Sequence, residues 1–203
     1  MNYLNSENSQ SQILTYTHDS VYNRTENNRK IVTINGLNEL LAFDATYYSY
    51  DLNGNLTFKK TPSETSRFTY DPLDRLIEVV STTQTINFVY DPLGRRISKT
   101  IHTPTLFNSK SSTCEHYLYH DQNEIGAFVT PSQPKNLRIL GLGIQKQSPA
   151  TIAIELDTEI FAPLLDVQGN IRRLIDVKNK KIAESYDFTA FGQELQTSST
   201  PPF

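Results

Sequence analysis

Three side chains in the middle of the chain have the types that do chemistry. If Thr113–His120 forms a strand, alternate residues share a face, so Cys114, His116 and His120 stand on one side with Leu118 between them. A thiolate with two imidazoles suits zinc, and a thiol beside an imidazole is the start of a nucleophilic pair. Neither set is complete. No fourth ligand follows at a metal-site spacing, and no glycine-rich element accompanies the pair to hold an oxyanion. Glu155, Asp157 and Glu159 alternate along an expected strand and so share a face, but nothing around them separates an acid from a base. A solvated edge is the expectation there. Asp51-Leu52-Asn53-Gly54-Asn55 is oxygen-rich like a calcium loop. Its glycine is fourth rather than sixth, and Pro62 stands where the bidentate glutamate belongs, so a β-turn is expected. Gly141-x-Gly143 opens like a dinucleotide loop, yet Lys146 holds the third glycine position and no helix signal follows. Arg95-Arg96 and Arg172-Arg173 are single basic pairs, short of the stripe that phosphates need, and are expected to be exposed counter-charges. No catalytic residue, metal or cofactor is assigned.

Composition limits what could position such groups. The chain has 203 residues, a net charge of −3 and 37% hydrophobic residues. Ser, Thr, Asn and Gln number 65 of the 203. A core built from so little must be thin, which argues against a thick α/β enzyme and for sheets with one wet face. The 21 Tyr and Phe side chains argue equally against disorder. The net charge draws in no nucleic acid. One cysteine makes no internal disulfide. The first residues carry neither a basic cluster nor an apolar run, so no Sec-type signal is expected, and no stretch reaches the ~18 apolar residues of a spanning helix.

Repetition organises the chain. Tyr-Asp occurs at Tyr50-Asp51, Tyr70-Asp71 and Tyr90-Asp91, at steps of 20 and 20. The flanks keep register: Tyr48, Phe68 and Phe88 align, as do Gly54, Asp74 and Gly94. Weaker copies centre on Asp19, on Asp121 with one inserted residue after Tyr119, on Asp166 with Gly169, and on Tyr186-Asp187. The steps between the seven aspartates are then 32, 20, 20, 30, 45 and 21. Each copy reads as a β-hairpin. Phe68 and Tyr70 share one face while Arg67 and Thr69 share the other, and Asp-Pro-Leu-Gly at Asp91–Gly94 fits a type I turn followed by a bulge. Such a unit cannot bury its aromatic face alone and needs its neighbours. Seven copies of two strands give about 14 strands. Leu137–Ile144 and Ile152–Leu156 read as two more strands with a turn at Pro149, and Thr105–Thr113 as a surface loop.

The Tyr-Asp-x-x-Gly-Asn/Arg units resemble those of the YD-repeat, or Rhs-repeat, proteins, which include bacterial Rhs polymorphic toxins, shell-forming subunits of insecticidal toxin complexes and animal teneurins. The resemblance runs from about Leu14 to Leu195 and is sharpest at Tyr50–Leu56, Phe68–Val80 and Phe88–Ser98. Pro163–Asp176 and Tyr186–Gly192 look like the family's late segment. The family's closing motif and variable toxin domain have no counterpart before Phe203, so none of their activities is expected.

The fold expected is therefore all-β: an antiparallel hairpin array forming a curved sheet, a partial shell or solenoid. Residues 14–195 form the array, and residues 1–13 and 196–203 are expected to be disordered tails. Tyr50, Asp51, Gly54, Tyr70, Asp71, Asp74, Tyr90, Asp91, Gly94, Asp121, Asp166, Gly169, Tyr186 and Asp187 are the motif residues. The resemblance implies a non-catalytic wall segment that encloses or displays a toxin or other cargo. Its partners would be further repeat segments or another chain at the strand edges, in an exported or cell-surface system. The alternative is a module that binds glycans or a receptor through the Tyr-rich face.

Overall fold

The computed structural model describes residues 6–9, 12–104, 110–130, 133–141, 150–156, 158–189, 192 and 194–195. Among them there is no helix. The first strands are β1 (Ser6–Ser9), β2 (Gln12–His18), β3 (Arg24–Asn27), β4 (Lys30–Ile34), β5 (Leu40–Phe43), β6 (Thr46–Tyr50), β7 (Leu56–Lys60), β8 (Thr65–Tyr70), β9 (Leu76–Ser81) and β10 (Thr85–Tyr90). They are followed by β11 (Arg96–Pro104), β12 (Lys110–His120), β13 (Asn123–Thr130), β14 (Gln133–Gly141), β15 (Ala150–Leu156), β16 (Glu159–Leu165), β17 (Ile171–Asp176), β18 (Lys181–Ser185), β19 (Asp187–Phe188) and β20 (Glu194–Leu195).

The chain divides into two units, Met1–Val89 with Thr100–Thr113, and Tyr90–Lys99 with Cys114–Phe203. In the first, every strand from β1 to β10 pairs antiparallel with the next. In the second, β12 to β18 do the same, and β19 pairs with β20. The chain is an all-β antiparallel hairpin array, as its two-residue periodicity predicts. In β8, Phe68 and Tyr70 are half-buried while Arg67 and Thr69 are exposed; in β6, Tyr48 and Tyr50 are half-buried while Tyr47 and Ser49 are exposed.

Two kinds of connection alternate. At the aspartate end the ladder always slips by one residue. Ser49 pairs with Phe58 but Tyr50 with Leu56, and Thr69 pairs with Glu78 but Tyr70 with Leu76. That extra residue is a β-bulge, which adds twist. The opposite ends differ in length. Thr61–Glu64 and Ser81–Gln84 are four-residue loops closed by Thr61 N to Glu64 O at 2.8 Å and Ser81 N to Gln84 O at 2.9 Å. Asn28-Arg29 and Asp44-Ala45 are two-residue turns with positive φ at both positions (49° and 65°, 45° and 61°), the geometry that matches strand twist.

Packing is thin, as composition requires. Tyr16, Ala127, Ile154 and Leu174 are the buried hydrophobic side chains among the described residues. Hydrophobic side chains that face water outnumber them, including Leu52, Leu73, Leu93 and Val167 at turn tips. The stretch from Lys135 to Glu159 supplies β14 and β15, paired with each other and with β13 and β16 in one ladder; Pro149 lies outside the described residues. Two expectations change. Lys110–Thr113, read as loop, opens β12. Residues 6–9 and 12–13, placed in the N-terminal tail, lie in the paired strands β1 and β2.

Gly126 in β13 marks the closest approach in the second unit. A Cβ there would sit 2.8 Å from Leu137 Cδ2 and 3.0 Å from the Asn136 carbonyl oxygen. A Cβ at Gly36 would meet nothing within 4 Å. Gly126→Val is therefore expected to destabilise by about 1–3 kcal/mol through overpacking, while Gly36→Ala leaves the urea midpoint nearly unchanged. Equal midpoints for the two variants would contradict this packing.

Candidate functional site: the aspartate turns and their tyrosine ties

Each repeated aspartate organises its turn in the same way. In the turn at Asp51, Oδ1 accepts the Asn53 and Asn55 amides, both at 2.9 Å, and Oδ2 accepts Asn55 Nδ2 at 3.1 Å. The backbone closes with Gly54 N to Asp51 O at 3.1 Å and Asp51 N to Asn55 O at 2.9 Å. Asp19, Asp71, Asp91 and Asp166 repeat this scheme, with Asn23, Arg75, Arg95 and Asn170 four residues on. Three acceptor contacts explain why aspartate recurs: its short carboxylate reaches both amides and a side chain at once. The fourth turn residue takes the left-handed conformation in every copy: Tyr22 at 71°, Gly54 at 84°, Asp74 at 58°, Gly94 at 80° and Gly169 at 87°. Glycine is the residue that enters this region without strain.

Sequence reasoning missed one such turn outright. Asn35 Oδ1 accepts the Leu37 and Glu39 amides at 2.9 and 3.0 Å, and its Nδ2 donates to Glu39 Oε2 at 2.6 Å. Asn38 holds the left-handed position at 63°. The unexplained step of 32 between Asp19 and Asp51 is thus two units of 16. Two-residue turns replace the four-residue loops in these shorter units. The signal was present in Asn35-Gly36-Leu37-Asn38-Glu39, where asparagine and glutamate exchange the donor and acceptor roles. A second shift lies near the C-terminus. Gly192, at φ 79°, donates to the Thr189 carbonyl at 2.9 Å, and Phe188 pairs with Glu194, which is the turn register with threonine in the aspartate position.

The tyrosines tie one unit to the previous one. Tyr50 Oη donates to the Leu40 carbonyl, Tyr70 Oη to that of Leu56 and Tyr119 Oη to that of Arg96, each at 3.0 Å. Each accepting carbonyl belongs to the first strand residue after the preceding turn, at the bulge. A phenol reaches a backbone oxygen where the ladder has slipped, which phenylalanine cannot do. Tyr90 precedes Asp91 in the same way and is half-buried.

Asp121 and Asp187 stand differently. The inserted residue puts Asp121 in a two-residue turn between His120 and Asn123, its carboxylate exposed and 3.8 Å from His120 Nε2. Tyr119 keeps its tie even so. Asp187 lies in β19 and pairs with Arg172, while the Tyr186 ring stacks on Phe188 at 6.5 Å between centroids. The arginine pairs are half-buried and engaged rather than exposed counter-charges, since neighbouring residues offer them a carboxylate, a ring and a carbonyl. Arg95 binds Asp91, Arg96 stacks over Tyr117 at 4.8 Å, and Arg173 donates to the Arg172 carbonyl at 2.7 Å.

The candidate chemical groups do not converge. Cys114 Sγ lies 3.5 Å from His116 Nε2, but His120 stands exposed at the turn, 3.8 Å from the Asp121 carboxylate. No metal-holding group of three ligands occurs among the described residues. Glu155 and Glu159 sit on successive strands in opposite-facing positions rather than on one strand face, because a turn intervenes at Thr158; Asp157 lies outside the described residues. Gly141 ends β14, and Gly143 lies outside the described residues. A cleft of ≈ 380 Å³ is lined by Thr85, Asn87, His102, Thr103 and Pro104, with no carboxylate or thiol among these described residues. Elsewhere, buried Glu115 accepts Lys135 Nζ at 2.6 Å and the Tyr117 phenol at 3.2 Å, and burial pushes that phenol up to about 12.

The turn carboxylates are held below the ordinary aspartate range. Side-chain donation by Asn23, Arg75 and Asn170 is the main cause at Asp19, Asp71 and Asp166, and the Asn55 amide at Asp51. At Asp91 desolvation pushes upward, and the Arg95 side chain and backbone outweigh it. Burial raises the phenols of Tyr50 and Tyr70.

The family described as Teneurin YD-shell matches residues 1–201 of the chain. No curated protein matches it. Among solved structures, the chain is similar to the Photorhabdus luminescens Tc holotoxin pore at 12% identity and a TM-score of 0.43, over 90% of this chain and 13% of that one. It is similar to the TcdB2-TccC3-Cdc42 crystal structure at 13% identity and a TM-score of 0.46, over 90% and 12%. For TcdB2-TccC3 the values are 10% and 0.41, over 90% and 17%. The chain thus spans 12% to 17% of the length of these solved chains.

Two outcomes follow from the turn geometry. Tyr70→Phe is expected to lower stability by about 1 kcal/mol, because the Leu56 carbonyl loses its donor. Tyr47→Phe, at a ring 57% exposed, should leave the urea midpoint unchanged. The acid limb is the second. Folded carboxylates titrate below their unfolded values near ~3.9, so their contribution is fully present above about pH 4 and is lost as pH falls through the lowered folded values. Urea melts across pH should hold steady down to about pH 4 and then fall, less steeply in Asp51→Asn, which has one titrating turn fewer. A decline that begins near neutral pH would contradict this assignment.

Proposed function

The chain belongs to the Teneurin YD-shell family, and we propose that it serves as a length of shell wall that encloses or displays a toxin or other cargo and is non-catalytic by itself. The observation that carries this reading is the recurring tie from the Tyr50, Tyr70 and Tyr119 hydroxyls to the unit before each. Those contacts join hairpin to hairpin and leave both the phenols and the aspartates occupied by structure. A wall needs extended area with little core, and the burial pattern supplies that. The alternative, a glycan- or receptor-binding face built on the repeat tyrosines, finds those of Tyr50 and Tyr70 turned inward with their hydroxyls engaged.

Area sets the partner. At ~4.8 Å per strand, the 18 strands of the main sheet have a summed width of ~86 Å, more than the ~67 Å of the 14 or so strands expected from the sequence. A folded cargo of ~100 residues has an outer radius of ~17 Å, and a wall ~5 Å beyond it has a circumference of ~140 Å. That width is about three-fifths of one turn around such a cargo, short of closure. The wall segment therefore works with further repeat segments or another chain at its strand edges, in an exported or cell-surface setting.

Light scattering on the 203-residue chain, with hydrogen exchange on its first and last hairpins, tests this. Association that rises with concentration, accompanied by slower exchange in those hairpins, is expected. A monomer at all concentrations with both end hairpins strongly protected would overturn it.

A further inference from the structure

Adjacent turns touch through side chains that neither turn needs for its own closure. We infer that the residue four positions after each turn aspartate selects the repeat that sits beside it, by presenting a side chain that fits only certain residues at the left-handed position or tyrosine of the next unit. In the turns at Asp19 and Asp51 this residue is asparagine. One hydrogen of each amide goes home: Asn23 Nδ2 to Asp19 Oδ2 at 3.0 Å, Asn55 Nδ2 to Asp51 Oδ2 at 3.1 Å. The other goes to the next turn: Asn23 Nδ2 to Asn38 Oδ1 at 2.7 Å, and Asn55 Nδ2 to Asp74 Oδ1 at 2.8 Å. Asn53 adds a second donor to Asp74 at 3.0 Å. The acceptors Asn38 and Asp74 hold the left-handed position at 63° and 58°, where glycine would cost nothing. Keeping a side chain there against that strain is explained by the bond it accepts.

The turns at Asn35 and Asp91 follow the same logic with different chemistry. The turn at Asn35 ends in Glu39, which has no proton to offer. The left-handed residue it faces is Gly54, and a Cβ there would lie 3.8 Å from Glu39 Oε1. An acceptor side chain at that position would meet a carboxylate, and glycine avoids it. The turn at Asp91 ends in Arg95. Its Nε binds Asp91 at 2.7 Å, its Nη1 donates to the Asp121 carbonyl at 2.6 Å, and its guanidinium covers the Tyr119 ring at 5.3 Å. A guanidinium therefore takes a main-chain oxygen and an aromatic face from the next unit, and needs no side chain at the left-handed position. Asn170 turns its second hydrogen to Gln168 of its own turn, at a long 3.4 Å. Amide to acceptor, carboxylate to glycine, and guanidinium to carbonyl and ring form three pairings that fix which unit follows which.

A double-mutant cycle on the full chain tests this, read by urea unfolding with hydrogen exchange on β7 and β8. Asn55→Ala should lower the folding constant at least about threefold more in the native chain than in the Asp74→Gly background. Asp74→Asn, which offers the acceptor that Asn38 offers, should preserve the full cost of Asn55→Ala. Equal costs of Asn55→Ala in the native and Asp74→Gly backgrounds, or a loss of coupling in Asp74→Asn, would overturn the inference. A transplant covers the case in which Asn55→Ala does not fold. Asp51→Asn with Asn55→Glu copies Asn35 and Glu39. Asp74→Gly should then be at least about threefold more favourable in the transplant than in the native chain, and an equal effect would overturn the inference.

Discussion

A carboxylate that accepts three hydrogen bonds inside a five-residue turn is the contact on which the rest of this array depends. In a sandwich, a second layer would fix strand register by burying one face, since a one-residue slip would expose it. Here four hydrophobic side chains are buried among the described residues, so a slip would cost little burial. Register has to be set locally instead. The aspartate does this because its two oxygens reach the amides two and four residues on and the side chain of the latter. Only one phase of the following strand satisfies all three.

The turn then imposes the bulge, and the bulge creates the need for tyrosine. One extra residue on the outgoing strand displaces a backbone oxygen from the ladder, and a half-buried carbonyl without a donor is costly. The phenol of the next unit supplies the donor, at 3.0 Å in the ties of Tyr50, Tyr70 and Tyr119. Aspartate and tyrosine are therefore parts of one device, although they act on different units. The aspartate sets the slip, and the tyrosine one unit later closes what the slip opened.

This division of labour explains what was legible in the sequence. Where both residues are present in order, at Asp51, Asp71 and Asp91, the aspartate closes its turn and the fourth position is left-handed. Where one half is replaced by a chemical equivalent, the pattern fails while the physics continues. Asn35 with Glu39 keeps the turn by exchanging donor for acceptor, and Thr189 with Gly192 keeps its closing bond without a carboxylate. Where the halves separate, each shows what it does alone. Tyr119 keeps its tie although the insertion removes Asp121 from the turn role, and Asp187 beside Tyr186 pairs with Arg172 in a strand. The opposite ends of the hairpins were illegible for another reason. Their two- and four-residue connections need only local turn chemistry, which many dipeptides provide.

An array built this way tolerates irregular spacing. Each unit answers only to its neighbours, so length can change at the ends opposite the aspartates without disturbing the tied ends. Units of 16 and 20 residues stand side by side for that reason. The stretch from Lys135 to Glu159 goes further, adding β14 and β15 to the ladder with no aspartate turn among their described residues. There a different stabiliser is present. Buried Glu115, Lys135 and the Tyr117 phenol bond across the strands, and Gly126 lets Leu137 pack against the backbone. Side-chain networks and close packing thus take over the register where the turn device is missing. An array with so thin a core has to fix its strands by one means or the other from each hairpin to the next.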